Sequence, residues 1–150
     1  MREKFLIRAG VPGDHDALLA LWLRSVRATH TFLTAADIEA LIPAVRDGAL
    51  VALELSVLVA GDGALAGFMG LDGAKVEAIF IDPAHAGKGG GTALIAHARQ
   101  VKGALAVDVN EQNPDALAFY LARGFVVVGR SETDGEGRPF PLLHLAEPTP

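Results

Sequence analysis

The residues that first suggest chemistry lie between Ile79 and Leu94. An apolar stretch, Ile79-Phe80-Ile81, runs into an Asp82-Pro83 stop. The segment Ala86-Gly87-Lys88-Gly89-Gly90-Gly91-Thr92 follows, and then an apolar pattern at helical spacing. Glycines let a backbone approach a ligand closely and adopt positive φ. The first amides of a helix lack internal partners and sit at the positive end of its dipole. A strand, a glycine loop and a helix in that order suit a phosphate. The two common phosphate patterns both fail. The Walker A loop needs Ser or Thr directly after Gly-Lys, and Lys88 is followed by Gly89; the dinucleotide fingerprint needs its last glycine where Thr92 stands. A second group of residues follows: Asn113-Pro114-Asp115, then Phe119 and Tyr120, the chain's only tyrosine. His15, His30, His85, His97 and His144 have no metal-ligand spacing, so no metal site is expected.

The elements that must position these residues are legible from period and punctuation. Lys4 to Ala9 reads as a strand, and Asp14 is placed to cap a helix in which Ala17, Leu18, Leu21, Trp22, Ser25 and Val26 share a face. Thr34 opens a second helix to about Asp47, kinked or shortened by Pro43. The period then changes. Leu50 to Ala60, Ala64 to Leu71 and Ala74 to Ile81 read as three strands joined by the glycine turns at 61–63 and 72–73, an antiparallel meander. A helix from about Thr92 to Lys102 precedes a short buried strand, Leu105 to Val109. Asn113, Pro114 and Asp115 open another helix as cap, first helical residue and dipole partner, and Gly124 ends it. Two last strands, Phe125 to Gly129 and Leu142 to Ala146, flank a polar loop. The order is β-αα-βββ-α-β-α-β-β. It predicts one α/β (α+β) domain over residues 1–150, with a central mixed, mostly antiparallel sheet and helices on both faces.

Composition narrows the function classes. The 150 residues suffice for one domain with a substantial core. There is no cysteine, which removes disulfides, thiolate metal sites and a cysteine nucleophile. The net charge is −5 with no basic stripe, which argues against a nucleic-acid partner. No apolar run reaches the roughly 18–20 residues of a membrane span. The start lacks the long apolar region of a signal peptide, so a cytoplasmic protein is expected. Arg24 and Arg27 read as a solvated helix face, and Glu132, Asp134 and Glu136 as loop charges.

The loop Gly87-Lys88-Gly89-Gly90-Gly91 resembles the acetyl-CoA loop of the GNAT N-acetyltransferases, Gln/Arg-x-x-Gly-x-Gly/Ala. The run from Asn113 to Phe125 is similar to the same family's Asn-x-x-Ala-x-x-Phe-Tyr-x-x-x-Gly-Phe motif. The two occur in the family's order and on its elements, and the resemblance covers nearly the whole chain. More narrowly, residues 25–33, 109–113 and 137–143 resemble the YjaB-type bacterial branch. One position departs: Ala86 stands where the family carries Gln or Arg, a side chain that helps hold the pyrophosphate.

The resemblance implies a direct transfer of acetyl from acetyl-CoA to a primary amine in a ternary complex. A lysine-like amine has a pKa of about 10.4, so a base or a water relay must take its proton. Glu77 is the base candidate, since many family members carry a glutamate on this strand. Simple alternation puts Glu77 and Ile79 on one face, and Val76, Ala78 and Phe80 on the other. A backbone amide within Ile79, Phe80 and Ile81 would meet the oxyanion. Tyr120 would protonate the departing thiolate. Cofactor contacts fall on Ile79 to Ile81, on Ala86, Gly87, Lys88, Gly89, Gly90, Gly91 and Thr92, and on Asn113, Ala116, Phe119 and Tyr120. His30 is a candidate for the acceptor side. No metal is required. An active enzyme and a CoA-binding sensor with little turnover are both compatible with these residues, as are a monomer and a homodimer.

Overall fold

The computed structural model describes residues 4–135 and 137–148. Strand β1 (Leu6–Ala9) leads into helix α1 (His15–Thr29) and helix α2 (Ala35–Pro43). A single turn, α3 (Leu50–Ala52), precedes the meander β2 (Glu54–Val59), β3 (Leu65–Asp72) and β4 (Lys75–Ile81). Then come α4 (Gly90–Lys102), β5 (Ala106–Asn110), α5 (Pro114–Ala122), β6 (Val126–Ser131) and β7 (Leu142–Ala146). The strands form one sheet in the order β1-β2-β3-β4-β5-β7-β6. Neighbours are antiparallel except β4 and β5.

Alternation along the strands sends side chains to two cores, one per face. Leu58, Met69, Val76, Val107, Val109 and Leu145 pack with Leu94, Ile95 and Ala98 of α4 and Tyr120 of α5. Val57, Phe68 and Leu55 pack on the other face with Leu18, Leu21, Trp22 and Val26 of α1 and Ile38 of α2. Local chemistry fixes the helix starts. Thr34 Oγ1 accepts from the Asp37 amide at 3.1 Å while Asp37 accepts from the Thr34 amide at 2.9 Å, a reciprocal capping box. Asn113 Oδ1 accepts from the Ala116 amide at 3.2 Å, and Pro114 takes the first helical position.

Several expectations are corrected. Asp14 makes no side-chain bond into α1. It accepts from Arg8 at 2.9 and 3.0 Å and from the Val11 amide at 2.9 Å, and so ties β1 to the turn. The apolar run at Leu50 begins as helix, and β2 starts only at Glu54. Pro43 ends α2, having no N–H to continue the ladder, and wider π-type turns carry the chain through Ala44–Ala49. Those turns deliver Leu50 to the α1–α2 core at 2 % exposure. Helix α4 starts at Gly90, two residues before Thr92, because Gly89 caps it at φ 88.

The alternation expected along β4 is also broken. Gly70 pairs with Ala78 and Leu71 with Val76, so Glu77 is the extra residue of a β-bulge. Val76 therefore shares a face with Ile79, while Phe80 packs on the α1 side. Close approach under this strand requires Gly67, where a Cβ would lie 2.7 Å from the Phe80 carbonyl oxygen.

Candidate active site

The site originates where β4 and β5 part. They pair at Lys75 with Ala106 and at Val76 with Val107, and no further. Beyond that vertex, one edge of β4 from Glu77 to Ile81 faces a cleft instead of a strand. The cleft has a volume of ≈ 570 Å³. Its walls are Val76–Ile81 of β4, Val107–Asn110 of β5, the first turns of α5 and the end of α1 at Thr29 and His30. A smaller apolar hollow of ≈ 150 Å³ lies under α1 and shares Glu77, Ala78 and Phe80 with it.

At the α5 wall, Tyr120 packs edge-on between Phe119 and Phe125, with ring centroids 5.1 and 5.3 Å away. Its residue exposure is only 4 %. The hydroxyl has no hydrogen bond among the described residues, yet none of their buried side-chain polar atoms is unpartnered. The hydroxyl therefore reaches solvent, and the cleft is where it does so. Burial pushes the phenol above its ordinary value, so it stays protonated as a donor. Beside it, Asn113 spends its oxygen on the α5 cap. Its side-chain nitrogen has no protein partner among the described residues, leaving a donor for a ligand.

Ala86 and Gly91, at the two ends of the glycine loop, line one end of the cleft. Gly87 and Gly89 have φ 75 and 88, the left-handed region that side chains disfavour. Gly91 lines the cleft, and a Cβ there would come within 3.0 Å of the Phe119 ring.

At the other end lies a charged array. Lys75 Nζ sits 3.1 Å from Glu77 Oε1 and 2.9 Å from Asp108 Oδ2. Asp108 Oδ1 is 2.7 Å from His144 Nδ1, and His144 Nε2 is 2.6 Å from Ser131 Oγ. Burial pushes the Asp108 carboxyl up, but His144 and Lys75 outweigh it and hold it below the usual carboxylate range. Asp108 in turn leads Glu77 in raising the Lys75 ammonium against burial. His30 Nδ1 lies 2.8 Å from Thr29 Oγ1, and its ring packs on Phe32 and Phe80. Burial pushes the imidazole below its ordinary value, which favours the neutral ring. Phe32, between α1 and α2, meets Phe140 of the β6–β7 loop at 5.8 Å, closing the two loops over this side.

The family profile described as "Acetyltransferase (GNAT) domain" matches residues 50–127. The peptidyl-lysine N-acetyltransferase YjaB of Salmonella typhimurium is 43 % identical over 142 residues, covering 95 % of this chain and 97 % of that one. The chain belongs to the GNAT acetyltransferase family. The apo-form YjaB of Escherichia coli, solved in solution, superposes on this acetyltransferase with a TM-score of 0.88 at 43 % identity, covering 95 % and 97 % of the two chains. The PaiA N-acetyltransferase of Thermoplasma acidophilum, solved in complex with coenzyme A, shares the fold at a TM-score of 0.78 and 19 % identity, covering 97 % and 99 %.

Of the residues expected to act in this acetyltransferase, the cleft gathers Glu77, Ile79, Phe80, Ile81, Ala86, Gly91, Asn113, Ala116, Phe119, Tyr120 and His30. Gly87, Lys88, Gly89, Gly90 and Thr92 do not line it. Gly90 is a packing residue, since a Cβ there would meet Leu58 Cδ2 at 2.6 Å. The Thr92 hydroxyl accepts from Arg123 Nε at 3.0 Å, tying α5 to α4. Asp108 and Lys75 were not anticipated from the sequence. A signal existed for Asp108: it is the one acid inside the apolar strand Ala106–Val109, alternating with Val107 and Val109 and so turned away from their core. Arg24, expected on a solvated face, is paired with Asp82. Glu136 lies outside the described residues.

Proposed function

We propose that this acetyltransferase moves the acetyl group of acetyl-CoA to a primary amine by direct attack, and that the side chain of a peptidyl lysine is its acceptor class. The observation that carries the reading is the unpaired edge of β4, which runs from Glu77 to the glycine loop and faces Tyr120 across the cleft. Backbone amides of Ile79 and Ile81, which alternate away from β3 to the open edge, are suited to hold the thioester carbonyl and to meet the negative charge that grows on it. The amides of the glycine loop and the first turn of α4 suit the pyrophosphate. The Asn113 side-chain nitrogen suits the pantetheine arm. Glu77 takes the amine's proton, directly or through water, and Tyr120 supplies one to the leaving sulfur.

The acceptor class rests on two supports. The similar proteins of S. typhimurium and E. coli are named for peptidyl lysine. The acceptor end of the cleft also carries two carboxylates, Glu77 and Asp108, which share the single Lys75 ammonium and so leave a net negative charge suited to a second ammonium.

Calorimetry with acetyl-CoA, followed by thiol release in the presence of lysine-containing peptides, tests this function. Binding and peptide-dependent release support it. Binding with no release across peptides and small amines would favour the sensor reading, which Ala86 supports by bringing no charge to the phosphate end. Absence of binding would sink both.

A further inference from the structure

We propose that His30 is a second proton acceptor in the transfer, taking on Nε2 the proton that Glu77 leaves on the acceptor nitrogen. The inference rests on the acetyl-transfer reading above and starts from its proton count. A lysine ammonium carries three N–H bonds and the amide it becomes keeps one, so two protons must leave. Glu77 takes the first, which frees the lone pair for attack, and its carboxyl is then occupied. The second proton leaves only after the nitrogen has bonded to carbon, and it needs another base.

The hydrogen bonds around His30 fix where its own hydrogen sits. Thr29 Oγ1 donates to the Ser25 carbonyl at 2.8 Å, which spends the only proton of that hydroxyl. The same oxygen lies 2.8 Å from His30 Nδ1, so in that contact the hydroxyl accepts and Nδ1 carries the hydrogen. A neutral ring with its hydrogen on Nδ1 has a lone pair on Nε2. Burial favours the neutral ring. Nε2 has no protein partner among the described residues, and none of their buried side-chain nitrogens is unpartnered, so Nε2 reaches solvent at the cleft that the ring lines. The ring is held against Phe80, with centroids 6.2 Å apart, at the middle of the β4 edge that faces the thioester in that reading.

The steps balance. Glu77 accepts one proton from the ammonium. The freed lone pair forms the C–N bond to the thioester carbon, and the carbonyl electrons move to oxygen. His30 Nε2 takes a proton from the now cationic nitrogen and becomes an imidazolium. As the carbonyl reforms, the C–S bond breaks and Tyr120 protonates the sulfur. Of the two protons taken, one replaces that of the phenol and one goes to solvent. A lysine ammonium and acetyl-CoA thus become acetyl-lysine, CoA thiol and one proton.

The test measures thiol release from acetyl-CoA with a lysine-containing peptide. His30→Ala should lower kcat by roughly 10²-fold or more, with acetyl-CoA affinity near normal by calorimetry. Free imidazole should restore much of the lost turnover and leave wild type unchanged, a rescue that lost packing alone would not allow. His30→Asn is the second variant. Its amide can keep a donor to Thr29 but presents no acceptor where Nε2 stood, so it should be about as slow as His30→Ala. Wild-type kcat in either variant, or a deficit that imidazole does not relieve, overturns the inference. So does nitrogen-15 NMR of the neutral wild-type ring that finds its hydrogen on Nε2. Wild type that releases no thiol with lysine peptides or small amines removes the transfer reading and this inference with it. Release by wild type at a rate that His30→Asn matches removes the inference alone.

Discussion

Arg24 on α1 donates from Nε and Nη2 to a single oxygen of Asp82, Oδ2, at 3.1 and 2.7 Å. The other carboxylate oxygen of Asp82 accepts from the Ala84 amide at 3.1 Å. Asp82 is the residue at which β4 gives way to the turn before the glycine loop, so this pair ties α1 to the head of that loop.

Replacing Asp82 with Asn should loosen that tie. The Arg24 side chain is 51 % exposed, so the direct cost to stability is at most about 1 kcal/mol. The larger effect should be a several-fold loss of acetyl-CoA affinity by calorimetry, since the loop loses its anchor. Burial pushes the Asp82 carboxyl up, but Arg24 and the Ala84 amide outweigh it and leave it below its ordinary value. A depressed carboxyl stabilises the fold above the unfolded value of about 3.9 and loses that contribution as pH falls through the folded value. The Tm gap between wild type and Asp82→Asn should therefore close on acidification. A gap that stays constant to low pH would show that the ion pair is not its source.

His30 offers a second titration. Its ring is covered by Phe32 and Phe80, and burial favours the neutral form. The folded value lies below the unfolded one of about 6.5, so the contribution is complete above that pH and is lost as pH falls through the folded value. An NMR titration should place the His30 midpoint below about 6.5. The His30→Gln variant should lack the matching decline in Tm. A midpoint at or above the ordinary value would mean that the ring is solvated.

Ala86 lines the cleft, and under the proposed acetyl-CoA reading an arginine there would meet the pyrophosphate. Ala86→Arg should tighten CoA binding, because a charge-assisted contact is worth on the order of 1.5–3 kcal/mol when well formed and less when exposed. The gain should shrink with added salt. Unchanged affinity in a folded variant would place the phosphates away from this residue.

Tyr120→Phe removes one hydroxyl and keeps the ring contacts with Phe119 and Phe125. Loss of a general acid costs roughly 10²–10⁴-fold in rate. The loss should fall on turnover and leave acetyl-CoA affinity near normal, because the donor acts mainly as the sulfur gains charge. Wild-type turnover with chemistry limiting would assign the proton to water or another group. Normal turnover with collapsed affinity would make Tyr120 a binding residue.

By itself the sequence determined what depends on neighbouring residues. Asn113, Pro114 and Asp115 start α5, Gly89 admits the left-handed cap of α4, and the glycine turns make the β2–β4 meander, because each acts on φ, ψ or an orphan amide within a few residues. The two motifs therefore stood out on the right elements, and the cleft gathers most of the residues they pointed to. Tertiary structure alone decided the rest. Whether Leu50 continued a helix or opened a strand depended on the core that α1 and α2 offered it. The bulge that sets Glu77 out of step is a property of β4 against β3, not of β4. Lys75 with Asp108, Arg24 with Asp82 and Phe32 with Phe140 meet because distant segments share one sheet and its loops. Local periodicity tells which face a residue takes, but the partner it meets there is fixed by strand order and register, which arise only when the whole chain packs.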